Sequence, residues 1–224
     1  MNQVRHKNMN TSLEYASVDR RAAASKQARR NPDFRRLLGE AAWQRLPAAV
    51  QHRFAAIEHA VPIVYRGRMK VEASAAGWLL AQLCRLIGTP VAPYTGDGVR
   101  VRVEVLDDLE HGGVVWERRY DFPGKAQVVV RSTKRLDDDG GLVEVLNAGL
   151  HMRLRVFEQD AALHFLSTGY FFRIGPLRIP LPGWFLPGGT RVVHEDRGDG
   201  RFRFTMSTVH RQLGQTYFQD GEFE

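Results

Sequence analysis

From Ile63 to Phe223 the chain changes polarity mostly every second residue. Ile63, Tyr65, Gly67, Met69 and Val71 alternate with Val64, Arg66, Arg68, Lys70 and Glu72. Val99, Val101, Val103 and Val105 alternate with Arg100, Arg102 and Glu104, and Val114, Trp116, Arg118, Tyr120 and Phe122 with Val115, Glu117, Arg119 and Asp121. Period two with one apolar face is the signature of half-buried strands. Further strands are expected at Ala126–Lys134, Leu142–Asn147, Leu150–Phe157, Ala162–Ile174, Thr190–Asp196, Arg201–Val209 and Gln215–Phe223. Short polar turns rich in Gly and Asp join most neighbours, at Asp107–Gly113, Asp137–Gly141, Glu158–Ala161 and Arg197–Gly200, so the sheet is expected to be antiparallel. At about ten strands such a sheet curls or closes. A parallel α/β fold would place a helix between successive strands, and that pattern is missing.

Helical periodicity precedes and interrupts this meander. Asn31 or Asp33 is placed to cap FRRLLG, and Pro47 suits the first turn of PAAVQHRFAAIEHA. Phe34, Leu37 and Leu38 form one apolar face, and Val50, Phe54 and Ile57 another. A further helix is expected over Ala75–Ile87, stopped by Gly88 and Pro90. The fold class expected is therefore α+β, mainly β: a large curled antiparallel sheet or partly closed barrel, with N-terminal helices and one helix packed against it. Residues 175–189 (GPLRIPLPGWFLPGG) break the pattern. Four prolines there exclude a central strand. Six large apolar side chains in one loop require a cover, or make the loop itself a lid or a membrane-touching edge, with Trp184 and Phe185 at the interface.

The net charge of +7 changes little about the body. Residues 1–36 hold nine Lys or Arg against three Asp or Glu, while the other 188 residues hold 23 against 22. The basic balance belongs to an N-terminal stretch, residues 1–31, which reads as a mobile tail suited to touching anionic surfaces, with residues 32–224 as one β-rich domain. Specific nucleic-acid binding is not expected, since the tail has one aromatic residue and the body is nearly neutral. Cys84 is the single cysteine, so no internal disulfide or CxxC zinc site exists. Without a signal-like or membrane-spanning apolar run, the expected location is the cytoplasm, at most peripheral to a membrane.

Spread along Phe34–Glu224 are FRRLLGEAAWQRLPAAV, YRGRMKVE, VVWERRYDF, IPLPGWFLP and HEDRGDGRFRFTMSTVHRQLGQTYFQDGEFE. In this order and spacing they resemble the bacterial domain of unknown function 4166 family. That family stands alone or is fused behind dinucleotide-binding oxidoreductase-like domains, so the resemblance implies a separate oxidoreductase as an alternative partner. It carries no catalytic residues over, because the family has no established activity. The chain has no GxGxxG after a strand, so no cofactor is implied.

The residues themselves offer two candidate sites. Arg118 interrupts the apolar face of Trp116 and Tyr120. A charge there needs an internal acid or the anionic group of a ligand. This makes Trp116, Arg118 and Tyr120 candidate binding residues for a hydrophobic or amphipathic molecule, with Trp184 and Phe185 near the mouth. The second candidate is His194 with Glu195, a polar site for acid–base work if a third group joins them. Alternation sets these two on opposite faces. His151 and His164 flank one hairpin, in reach of each other only if the register allows it. No nucleophile elbow or metal-ligand spacing is present.

Overall fold

The strict alternations become strands with few exceptions. A computed structural model describes residues 30–55, 61–85, 91–109, 112–183 and 186–224. Its strands are β1 (Ile63–Ala73), β2 (Gly96–Asp107), β3 (Val114–Asp121), β4 (Val128–Leu136), β5 (Leu142–Val145), β6 (Leu150–Gln159), β7 (Ala162–Ile174), β8 (Leu177–Pro180), β9 (Gly189–Gly198), β10 (Arg201–His210) and β11 (Gly214–Phe223). They run in the order β6-β5-β4-β3-β2-β1-β11-β10-β9-β7, and β7 pairs back with β6. Ten antiparallel strands thus close into a barrel, as a sheet of this size is expected to do, and β8 is an extra strand outside the ring. Closure pairs the backbone of every ring strand on both sides and leaves few free edges.

The wall has one irregular seam. The first half of β7 pairs with β9, Leu163 opposite His194 through Leu166 opposite Arg191. Its second half pairs instead with β8, Phe171 opposite Pro180 through Ile174 opposite Leu177. The proline-rich segment therefore yields a short edge strand, the only kind its prolines permit. Trp184 and Phe185 lie outside the described residues.

Among the described residues, four α-helices serve the barrel. Asp33 caps α1 (Phe34–Leu38), its side chain accepting from Arg36 N at 3.1 Å. Gly39 (φ 79°) separates α1 from α2 (Glu40–Arg45), and Pro47 precedes α3 (Ala48–Phe54). These three short helices plug the barrel with aromatics. Phe34 meets Phe54 and Phe165 edge-on, at 5.4 and 5.6 Å between centroids, and Phe54 stacks on Trp116 at 5.9 Å. Each such ring buried contributes roughly 1.5–3 kcal/mol. Of the expected N-terminal tail, residues 1–29 lie outside the described residues. Arg30 pairs with Asp138 at 3.0 Å, and the Asn31 side chain accepts from Gly113 N at 3.0 Å.

Helix α4 (Ala75–Cys84) packs on β11 and is capped by Ser74, whose hydroxyl accepts from Gly77 N at 3.1 Å. The approach is close enough to demand glycine: a Cβ on Gly77 would lie 1.8 Å from the Thr216 carbonyl oxygen. Gly77→Ala is therefore expected to push α4 off β11 and to destabilise the fold by about 1–3 kcal/mol. Urea denaturation measures this, and an unchanged midpoint would refute the close-packing account.

Candidate functional site

Directly opposed residues of neighbouring strands share a face, so the register shows which side chains enter the barrel. Trp116 and Arg118 of β3 point inward. Ser132 lies opposite Trp116, Lys134 opposite Val114, and Glu144 of β5 opposite Lys134. Three adjacent strands thereby bring Arg118, Ser132, Lys134 and Glu144 together inside a mainly apolar ring.

Their contacts converge on one oxygen. Glu144 Oε1 accepts from the Ser132 hydroxyl at 2.5 Å, lies 3.2 Å from Lys134 Nζ and 3.7 Å from Arg118 Nη2. Arg118 Nη1 reaches Ser132 Oγ at 3.5 Å. Lys134 Nζ also sits 5.4 Å from the Trp116 ring centroid, in cation–π range. Among the described residues these four hold two cations against one carboxylate, all nearly buried. Burial pushes the Glu144 carboxyl toward its neutral form, but Lys134, Arg118 and Ser132 outweigh it and hold the pKa below the usual value. Burial lowers the Lys134 pKa, and Glu144 offsets part of the effect.

His194 of β9 lies beside this group, 3% exposed. Its ring is walled by Phe54 at 4.9 Å and Phe204 at 5.3 Å. Nδ1 is shielded and has no hydrogen-bond partner among the described residues. Burial first, then the positive charges of Arg53, Lys134 and Arg118, press its pKa well below the ordinary value, so the imidazole is neutral at pH 7.

Trp116, Arg118, Ser132, Lys134, Glu144 and His194 line one cavity of about 120 Å³. The rest of its lining is mainly apolar, including Leu80 and Ala81 of α4, Leu150 and Met152 of β6, Val192 of β9 and Met206 of β10. The wall hydroxyls satisfy one another: Tyr170 meets Thr190 at 3.1 Å, and Thr190 meets Thr208 at 3.0 Å. The cavity has space for several water-sized groups and one charged pole.

The residues singled out from sequence fall in different places. Trp116, Arg118 and His194 line the cavity. Tyr120 faces inward but is packed away from it, its hydroxyl exchanging hydrogen bonds with Gln219, which also donates to Tyr217 at 3.1 Å. Trp184 and Phe185 are outside the described residues, although Leu186 and Pro187 beside them line the cavity. Glu195 is on the outer face, near Arg197 at 4.0 Å, so His194 and Glu195 do not converge. His151 and His164 do not meet either, because the register sets Phe171 opposite His151 and Phe157 opposite His164. Ser132, Lys134 and Glu144 were not singled out. Their signal was the phase Val130–Ser132–Lys134, which is faint because the opposite phase also mixes apolar and charged residues.

The fold and cavity define a closed ten-stranded antiparallel barrel, plugged by helices, with a polar pole in an apolar chamber. The chain belongs to the domain of unknown function family DUF4166, which matches residues 46–223. No curated protein matches the chain. No helix among the described residues is long and apolar enough to cross a membrane.

Two measurements check the electrostatics. Glu144→Gln leaves two buried cations unneutralised and is expected to cost about 3–5 kcal/mol in chemical denaturation; a variant as stable as the parent would refute the pairing. For His194 the folded pKa lies below the unfolded value near 6.5, so the unfolded chain takes up the proton first as pH falls. Stability is then lost below about pH 6.5. His194→Leu is expected to flatten that limb between pH 5 and pH 7, leaving the contributions of His151 and His164, whose pKa values burial also lowers. An unchanged slope would refute the assignment.

Proposed function

We propose that the barrel binds a small amphipathic molecule, its anionic head against Arg118 and Lys134 and its apolar body along α4, β6 and β10. One observation supports this above the others: a mainly apolar chamber carries two cations, and both ion pairs they make among the described residues fall on one carboxylate oxygen, Glu144 Oε1. An uncompensated buried charge costs several kcal/mol, and a ligand carboxylate or phosphate removes that penalty. The Arg118 guanidinium has further N–H groups beyond those facing Glu144 and Ser132, and its planar fork suits such an anion. Neutral His194 adds a hydrogen-bonding group beside that head. Binding and not catalysis is the reading, because among the described residues the one histidine lining the chamber has no carboxylate bonded to Nδ1 to orient it.

The test is competition against a fluorescent anionic amphiphile, anilinonaphthalene sulfonate. Decanoate is expected to displace it at least about tenfold better than decanol, the margin of one charge-assisted hydrogen bond. Arg118→Gln should erase that margin while leaving decanol unchanged. Equal displacement by the two competitors, or displacement by neither, would overturn the proposal.

A further inference from the structure

We infer that the α4 side of the barrel docks on an anionic lipid bilayer, from which the interior ligand is drawn; the second half of this statement rests on the binding reading above. The observation that opens the argument is that α4 is apolar on two sides. Leu80 and Ala81 line the cavity, yet Trp78, Leu79 and Leu83 are 50%, 55% and 54% exposed. A helix on the surface of a water-soluble barrel ordinarily turns polar residues outward.

The neighbouring structure continues the patch. The β10–β11 hairpin exposes Val209 at the end of β10 and Leu213 in its turn by about half. That hairpin and α4 meet at Thr216: its carbonyl abuts Gly77, and its hydroxyl donates to Pro187 O at 2.7 Å. The start of α4, the base of the hairpin and the segment entering β9 are thus one surface. Scattered exposed apolar residues need no explanation, but several on elements that meet at one point beside a cavity suit an interaction site.

Charge identifies the occupant. The stretches that meet at Thr216, residues 74–85, 186–192 and 206–219, contain no Asp or Glu. They contain three arginines, of which Arg191 donates to Gln159 Oε1 at 3.1 Å. Arg85 on the α4 end and Arg211 on the hairpin turn are exposed. Elsewhere the wall neutralises itself across strands and along them, as in Arg203–Asp220 at 2.6 Å, Arg119–Glu117 at 2.7 Å and Arg102–Glu104 at 2.8 Å. An apolar surface with tryptophan, arginine and no carboxylate matches the interface of an anionic bilayer, where indole and leucine enter the headgroup boundary and arginine meets phosphate.

Co-sedimentation of the full chain with vesicles of phosphatidylglycerol and phosphatidylcholine, or of phosphatidylcholine alone, tests this. The expected result is binding to the phosphatidylglycerol vesicles that weakens with added salt. Trp78→Glu with Leu83→Glu should reduce partitioning by at least about tenfold. Neither residue lines the cavity, so the same variant should keep the decanoate competition of the parent in solution. Loss of vesicle binding with decanoate binding retained is the result that supports docking. A parent chain that sediments with neither vesicle, a variant that sediments like the parent, or a dimer in light scattering that the variant dissolves would each overturn it. Vesicle binding without decanoate binding would leave the docking surface standing and remove the interior ligand.

Discussion

Ten strands closed into a ring enclose more space than their own inward side chains fill. Eight strands already leave room for a small ligand, and the interior widens with each added pair. The rest of the molecule answers that geometric surplus. Phe34 and Phe54 fill part of it from the N-terminal helices. Gly77 lets α4 lie against β11 at backbone distance, so Leu80 and Ala81 reach the chamber. A space remains between plug and helix, and charge sits in it.

That charge is tied to the closure. β5 is only four residues long, and its place between β4 and β6 is what sets Glu144 opposite Lys134. Outside a barrel such a triad would be solvated and worth little. Inside, each group depends on the others: Glu144 stays ionised because Lys134, Arg118 and Ser132 hold it, and His194 stays neutral because burial first, then Arg53, Lys134 and Arg118, oppose its protonation. The charged pole therefore acts as one unit, in which the protonation of each group depends on its neighbours.

Much of this architecture could be read from sequence where the alternation is clean. Val99–Val105 and Trp116–Phe122 each have one apolar phase, so the inward set, including the intrusive Arg118, follows directly. β4 could not be read that way. Thr133 and Arg135 are buried on its outer face just as Ser132 and Lys134 are on its inner face, and a strand covered on both sides loses its binary contrast. Glu144, alone in the short run LVEV, carries no phase of its own. The exposed side of α4 was hidden for the converse reason: a helix apolar all round looks buried, and only the packed structure shows which half remains outside.

The change of partner along β7 leaves one flank of the chamber without a continuous strand ladder. Where β9 leaves β7 and β8 takes over, the flank beside Tyr170 is covered by Leu186 and Pro187 and not by a continuous hydrogen-bonded ladder. A molecule passing there has to displace side chains and a connecting segment, and no strand has to separate from its neighbour. For the ligand proposed above, exchange would need loop motion only, on the order of nanoseconds to microseconds, and not the far slower opening of the ring itself.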